Sequence, residues 1–154
     1  MRVVILAMGR LARAPETELV RLYADRATAA GRALGLGPIE IIEVESRKPG
    51  KAAEAEVLRP HFKDAHVLVC DEHGQARTSR AFAEEIARLR DDGTRRLVLV
   101  IGGADGLDPA LMAEAQGRLA FGPQTWPHAL VRAMLAEQVY RAVTILAGSP
   151  YHRD

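Results

Sequence analysis

The stretch Leu97-Val98-Leu99-Val100-Ile101-Gly102-Gly103-Ala104-Asp105-Gly106, residues 97–106, decides the fold of this chain. Its five consecutive apolar residues predict a strand buried on both faces, which is typical of a parallel sheet. The glycines that follow let a ligand approach the backbone at the carboxyl end of the strand, where open α/β sheets bind ligands. A plain tight turn leading to a helix capped by Asp108 is the alternative interpretation.

Strands and helices alternate on both sides of this stretch, which predicts an α/β fold with a mostly parallel sheet flanked by helices. The predicted strands are residues 3–8, 39–44, 66–70, 96–101 and 118–121. The predicted helices are residues 15–34, 51–62, a third from Thr78 or Ser79 to about Asp92, a fourth from Pro109, and a fifth from Pro127 to Gly148. Residues 71–74 are predicted to form a turn. We expect residues 1–154 to form one domain.

Composition indicates a soluble, cytoplasmic protein. Cys70 is the single cysteine, so an internal disulfide and a cysteine-based zinc site are both excluded, and a reducing compartment is the simplest interpretation. Charged residues interrupt the long apolar segment 127–147, which excludes a membrane span. The five histidines do not have the spacing of metal ligands, so we expect no metal.

Several function classes lack their motifs. The first strand is followed by Met8-Gly9-Arg10 instead of the Gly-x-Gly-x-x-Gly of a dinucleotide site, and no Gly-x-x-x-x-Gly-Lys phosphate loop is present. A nucleotide hydrolase is therefore disfavoured. The serines and Cys70 lack the surroundings of a catalytic nucleophile.

The net charge of +1 is too small to indicate nucleic-acid binding by itself, so any RNA site must be local. The candidates form three sets, each of which is otherwise a solvated face. They are Arg10 with Arg13, Arg47 with Lys48 and Lys51, and Arg77 with Arg80.

Two further segments carry candidate functional groups. The loop Phe121-Gly122-Pro123-Gln124-Thr125-Trp126 follows a predicted strand, and its backbone groups could read an adenine edge beside an apolar wall that includes Trp126. A plain loop with a buried Trp126 is the alternative. The tail Tyr151-His152-Arg153 carries a phenol, an imidazole and a guanidinium, which indicates contact with a substrate. Disorder, which is usual for chain ends, is the alternative.

Four stretches resemble one family, in the family's order. They are residues 99–107, Pro127-His128 with Leu130-Val131-Arg132, residues 137–142, and Pro150-Tyr151-His152-Arg153. The resemblance is to the ribosomal RNA large subunit methyltransferase H family of small single-domain SPOUT enzymes, and it covers essentially the whole chain. The chain departs from the family's usual pattern at Ala104 and Asp105, where proline and glutamate are common, and in the loop before Trp126.

The resemblance implies a SPOUT fold with a C-terminal trefoil knot, a homodimer, and S-adenosyl-L-methionine as cofactor. It implies methylation of N3 of pseudouridine 1915 in 23S rRNA, with the assembled ribosome as substrate. The implied cofactor contacts are Cys70, Gly103, Phe121, Gly122, Pro123, Gln124, Thr125 and Trp126. The implied substrate-side residues are Tyr151, His152 and Arg153, of which His152 is expected to accept a proton or to orient the target base. A non-catalytic RNA-binding or ribosome-associated α/β module is the alternative.

Overall fold

Five parallel strands form one sheet in the computed structural model, which describes residues 1–152. The strands are β1 (Arg2–Met8), β2 (Ile39–Val44), β3 (His66–Ala76), β4 (Arg96–Ile101) and β5 (Gly117–Ala120). Their order across the sheet is β2-β1-β4-β3-β5, and every neighbouring pair is parallel. The central position of β1 and β4 explains their apolar sequences, because both faces of these strands are covered.

Five helices connect the strands. They are α1 (Pro15–Gly31), α2 (Lys51–Leu58), α3 (Ser79–Asp91), α4 (Pro109–Ala113) and α5 (His128–Leu146). Short 3-10 turns extend α1 and α2, which accounts for the longer helices predicted there. The Thr78 hydroxyl accepts a hydrogen bond from Ala81 N–H, and Asp108 accepts from the first turn of α4, so both predicted caps are confirmed.

The core has two layers, one on each face of the sheet. Side chains alternate along β1, so that Val3 and Ile5 face α1, α3 and α5, whereas Val4 and Leu6 face α2 and α4. The predicted parallel sheet with helices on both faces is therefore confirmed. The threading of the chain through a trefoil knot stays a prediction.

Residues 71–74 were predicted to form a turn that ends the third strand. This prediction is wrong, because β3 continues to Ala76. Cys70 and Gln75 both lie opposite Leu119 of β5, so the four residues between them form a large bulge within the strand. A Cβ on Gly74 would lie 2.9 Å from the carbonyl oxygen of Asp71, so the bulge is packed too tightly for a larger residue. The polar sequence Asp-Glu-His-Gly is typical of a turn, but it does not reveal that the strand resumes afterwards.

No helix within residues 1–152 is long and apolar enough to cross a bilayer.

Candidate functional site

A cavity of about 390 Å³ opens at the carboxyl edge of β3, β4 and β5. Its wall is formed by Cys70 and residues 71–73 of β3, by residues 101–107 at the end of β4 and after it, and by Phe121, Thr125 and Trp126 after β5. His128 and Val131 at the start of α5 complete one side. The two loops that the sequence singled out therefore meet in one concave site, which we call the loop cavity.

The glycines after β4 form a tight turn that is also part of the cavity wall. Gly106 N–H donates to Gly103 O at 3.0 Å, and Gly106 has a φ of +79°, which favours glycine. A Cβ on Gly103 would lie 3.0 Å from both carboxylate oxygens of Glu54. The turn interpretation and the ligand interpretation are thus compatible, because the turn presents bare backbone to the cavity.

The loop after β5 is held by two side-chain hydrogen bonds. The indole N–H of Trp126 donates to Phe121 O at 3.2 Å, and the Thr125 hydroxyl donates to the Glu72 carboxylate at 2.5 Å. Trp126 remains 40% exposed at the cavity mouth, so the alternative of a buried Trp126 is wrong. The loop therefore offers an aromatic surface to a ligand.

The Cys70 side chain is an uncharged part of the wall of the loop cavity. Burial raises the pKa of the Cys70 thiol to about 12, because the protein interior disfavours the thiolate. The thiol therefore stays protonated near neutral pH, and a protonated thiol is a poor nucleophile.

Acidic residues outnumber basic ones in the wall of the loop cavity. Asp71, Glu72 and Asp105 line it, whereas Lys51 is the lysine on its rim. Asp71 also forms an ion pair with Arg118 at 3.3 Å. This lining suits a ligand that carries positive charge and opposes a polyphosphate.

The tail folds back onto α5. The Tyr151 hydroxyl donates to Glu137 Oε1 at 3.0 Å, and its ring lies 4.7 Å from the ring of Tyr140, centroid to centroid. The Arg141 guanidinium carbon is 5.0 Å from the Tyr151 ring centroid, and Arg141 Nη1 is 3.3 Å from His152 Nδ1. Arg153 lies outside the described residues. Tyr151 and His152 are thus brought together with α5.

Glu137 is the centre of this tail cluster. Its Oε1 accepts hydrogen bonds from Arg141 Nε at 2.9 Å and Nη2 at 2.6 Å, and its Oε2 accepts from Gln138 Nε2 at 2.7 Å. Burial, followed by hydrogen bonds to Tyr23 and Glu137, raises the pKa of Tyr151. The phenol is therefore a hydrogen-bond donor throughout the neutral range.

The tail cluster and the loop cavity are separated along α5. Val131 lines the cavity, and Arg141 follows it ten residues later, which is about 15 Å at the helical rise of 1.5 Å per residue. The described part of the tail therefore packs on α5 at a different level from the residues of α5 that line the cavity.

An apolar groove of about 500 Å³ lies between these two regions. Leu19 of α1 and Leu130 of α5 line it and are 40% and 39% exposed. Leu119 and Phe121 belong to both the groove and the loop cavity. Most of the remaining apolar face of α5 packs against α1, α3 and the sheet, so the groove is the part left for contact with another surface.

Two of the three predicted basic sets gather at the same sheet edge. The loops after β1 and β2, which are neighbouring parallel strands, carry exposed Arg10, Arg13, Arg47 and Lys48, and Lys51 reaches the cavity rim. The third set differs, because Arg77 forms a largely buried ion pair with Glu85 at 3.0 Å.

Sequence reasoning missed the polar residues of the β3 bulge. Asp71, Glu72 and His73 line the cavity, and Glu72 holds the loop after β5 through Thr125. The available signal was their position directly after a buried strand whose neighbour in the sheet ends in the glycine turn. Within residues 1–152, no group of three or more His, Cys, Asp or Glu side chains is arranged to hold a metal ion.

The comparisons with known proteins identify the family. The family described as "Predicted SPOUT methyltransferase" matches residues 1–152. A protein of Phenylobacterium zucineum named "Ribosomal RNA large subunit methyltransferase H" is 79% identical over 154 residues, covering 100% of both chains. A protein of the same name from Caulobacter sp. strain K31 is 70% identical over 154 residues, again covering 100% of both.

A solved structure shows the same fold. It is a probable methylase family protein from Haemophilus influenzae Rd KW20, which matches with a TM-score of 0.54 at 11% identity over 99% of this chain and 70% of that chain. With these matches the fold and the loop cavity define a SPOUT methyltransferase. The chain belongs to the ribosomal RNA large subunit methyltransferase H family.

Proposed function

We propose that this protein uses S-adenosyl-L-methionine to methylate N3 of pseudouridine 1915 in 23S rRNA on the assembled ribosome. The observation that carries the proposal is the loop cavity, in which the glycine turn and the loop after β5 meet in a chain of this family. The family name supports methyl transfer to large-subunit rRNA, and the resemblance of the tail supports the choice of nucleotide.

The cavity fits this methyl donor on two grounds. The missing Cβ of Gly103 leaves bare backbone for close approach. The acidic wall complements a sulfonium ion, which is positively charged. When bound, the donor supplies an electrophilic methyl group, so the protein has chiefly to align the target nitrogen with it, while the proton of N3 is lost to solvent.

We assign the cofactor contacts to the predicted residues. The glycine turn holds the donor through Gly103, and the neutral thiol of Cys70 forms part of the floor. The loop from Phe121 through Gly122, Pro123, Gln124 and Thr125 to Trp126 encloses the adenine, with backbone groups for the base edge and aromatic rings for its faces.

The substrate side is assigned to the tail. Arginine only donates hydrogen bonds, so the contact with Arg141 makes His152 Nδ1 an acceptor and places the proton of the neutral ring on Nε2. His152 in this tautomer donates to a uracil carbonyl and orients the base, which is the second of the two roles predicted for it. Tyr151, whose pKa is raised by burial and by its hydrogen bonds to Tyr23 and Glu137, packs beside the base, and Arg153 holds the RNA phosphate.

We further propose that the active unit is a homodimer whose sites each combine one chain's cavity with its partner's tail. The distance of about 15 Å along α5 keeps cavity and tail apart in one chain, at the helical rise of 1.5 Å per residue. The apolar groove with exposed Leu19 and Leu130 supplies a surface that a second copy can cover. A two-fold axis would then bring the tail of one chain to the cavity of the other.

The RNA is held by the basic loops after β1 and β2. Arg10, Arg13, Arg47 and Lys48 are exposed in loops at the carboxyl edge of the sheet, which is the edge at which the cavity opens. Phosphate contacts of this kind position RNA without reading its sequence.

The test uses methyl-labelled S-adenosylmethionine with assembled ribosomes and with free large subunits from a strain that lacks this methylation. We expect label on the large-subunit rRNA, and more of it from assembled ribosomes. Binding of the donor without label on either particle would contradict the proposed substrate. Binding of the particle without binding of the donor would instead favour a non-catalytic RNA-binding module.

A further inference from the structure

The glycine turn is in contact with a carboxylate that the cofactor assignment above does not use. Glu54 is in α2, and both of its carboxylate oxygens lie 3.0 Å from the position of a Cβ on Gly103. Lys51 precedes it by three residues, which places the two side chains on the same face of the helix, and Lys51 lines the loop cavity. Glu54 is therefore directed toward the wall that is formed by Gly103.

One oxygen of this carboxylate lacks a hydrogen-bond donor. Oε2 of Glu54 is buried, and none of residues 1–152 forms a hydrogen bond with it. A buried carboxylate oxygen without a donor is costly, so it is usually satisfied by a protein group, water or ligand. The lack of a side chain at Gly103 keeps this acceptor directly against the backbone of the ligand site.

We propose that Glu54 binds the ammonium group of the amino-acid part of the methyl donor, an inference that rests on the proposed function. The donor has two cationic groups, a sulfonium and an ammonium. An ammonium has three N–H donors and can satisfy Oε2, whereas a sulfonium has none. Glu54 Oε2, which lacks a hydrogen-bond partner, therefore favours the ammonium over the sulfonium. The acidic residues Asp71, Glu72 and Asp105 in the cavity wall add electrostatic attraction for the cationic donor.

The same assignment gives Gly103 a second function. Any side chain at this position would push the Glu54 carboxylate away, because a Cβ there is already in tight contact with both oxygens. Gly103 thus keeps the backbone bare and also keeps Glu54 in place.

The test is calorimetric titration of the full-length chain with three compounds. S-Adenosylmethionine carries both cations, S-adenosylhomocysteine keeps only the ammonium, and 5′-methylthioadenosine has neither. We expect Glu54→Gln and Glu54→Ala to weaken the first two about ten- to hundredfold, which corresponds to one hydrogen bond to a charged group, and to leave the third unchanged. Glu56→Gln removes the same charge from an exposed site on α2 and is expected to change none of them.

Each other pattern overturns the inference. Equal weakening of all three compounds would show that Glu54 only supports the cavity wall. Weakening of S-adenosylmethionine alone would assign Glu54 to the sulfonium, and unchanged affinity throughout would remove it from the site. If the unmodified chain binds none of the three, the proposed function fails before the role of Glu54 is reached.

Discussion

The separation of tail and cavity predicts that two inactive subunits can restore each other. Gly103→Val damages the cavity, because the added side chain meets the Glu54 carboxylate at 3.0 Å, and it leaves the tail intact. His152→Ala damages the tail and leaves the cavity intact. Neither homodimer should transfer methyl groups at an appreciable rate.

A heterodimer of these two variants should recover about half of the activity of the unmodified dimer. One of its two sites combines the intact cavity of the His152→Ala chain with the intact tail of the Gly103→Val chain, and the other combines both damaged parts. If each chain used its own tail, both sites would be damaged and the heterodimer would stay inactive. The assay is label transfer to ribosomes by heterodimer purified through a different affinity tag on each chain.

A reciprocal heterodimer provides the matched control. It pairs an unmodified chain with a chain that carries both Gly103→Val and His152→Ala. Shared sites then predict no activity, because each site contains one damaged part, whereas sites within one chain predict about half. If the reciprocal heterodimer is active and the first heterodimer is inactive, sites shared between two chains are refuted.

Three further outcomes follow from single contacts. Arg132→Met removes a 1% exposed guanidinium that bonds Glu43 at 2.8 Å and Met8 O at 2.6 Å, so chemical denaturation should show a loss of about 3 kcal/mol, whereas exposed Arg21→Met should change little. Tyr151→Phe should lower the melting temperature by about 3 °C and slow methyl transfer, with unchanged donor affinity by calorimetry; weaker donor binding would contradict this division. Cys70 should alkylate slowly at pH 8, because burial raises its pKa to about 12, and fast labelling detected by mass spectrometry would contradict the raised pKa.

The sheet was predictable from the sequence because its central strands are continuous apolar runs. Residues 96–101 are predicted and observed as β4, and the cap at Asp108 was visible as an acid before a proline. The β3 bulge was not predictable, because its return to pairing depends on Leu119 in another strand. Its polar residues were therefore assigned to a turn although they line the cavity.

The contacts that complete the site join distant parts of the chain. Glu54 and Gly103 are separated by 49 residues, and Tyr151 reaches Glu137 across a helix end. No local pattern indicates such pairs, since they depend on how α2 and α5 pack against the sheet. The sequence indicated the two loops that meet at the cavity, but only the folded chain shows that the tail packs against α5 through Glu137.

The central claim is the transfer of a methyl group to one nucleotide. The direct measurement is mass spectrometry of 23S rRNA fragments after ribosomes that lack the modification are incubated with this protein and S-adenosylmethionine. We predict one added methyl group on N3 of pseudouridine 1915, and none when ribosomes with an unmodified uridine at that position are used. A methyl group at another nucleotide, or equal methylation of the uridine, would contradict the account.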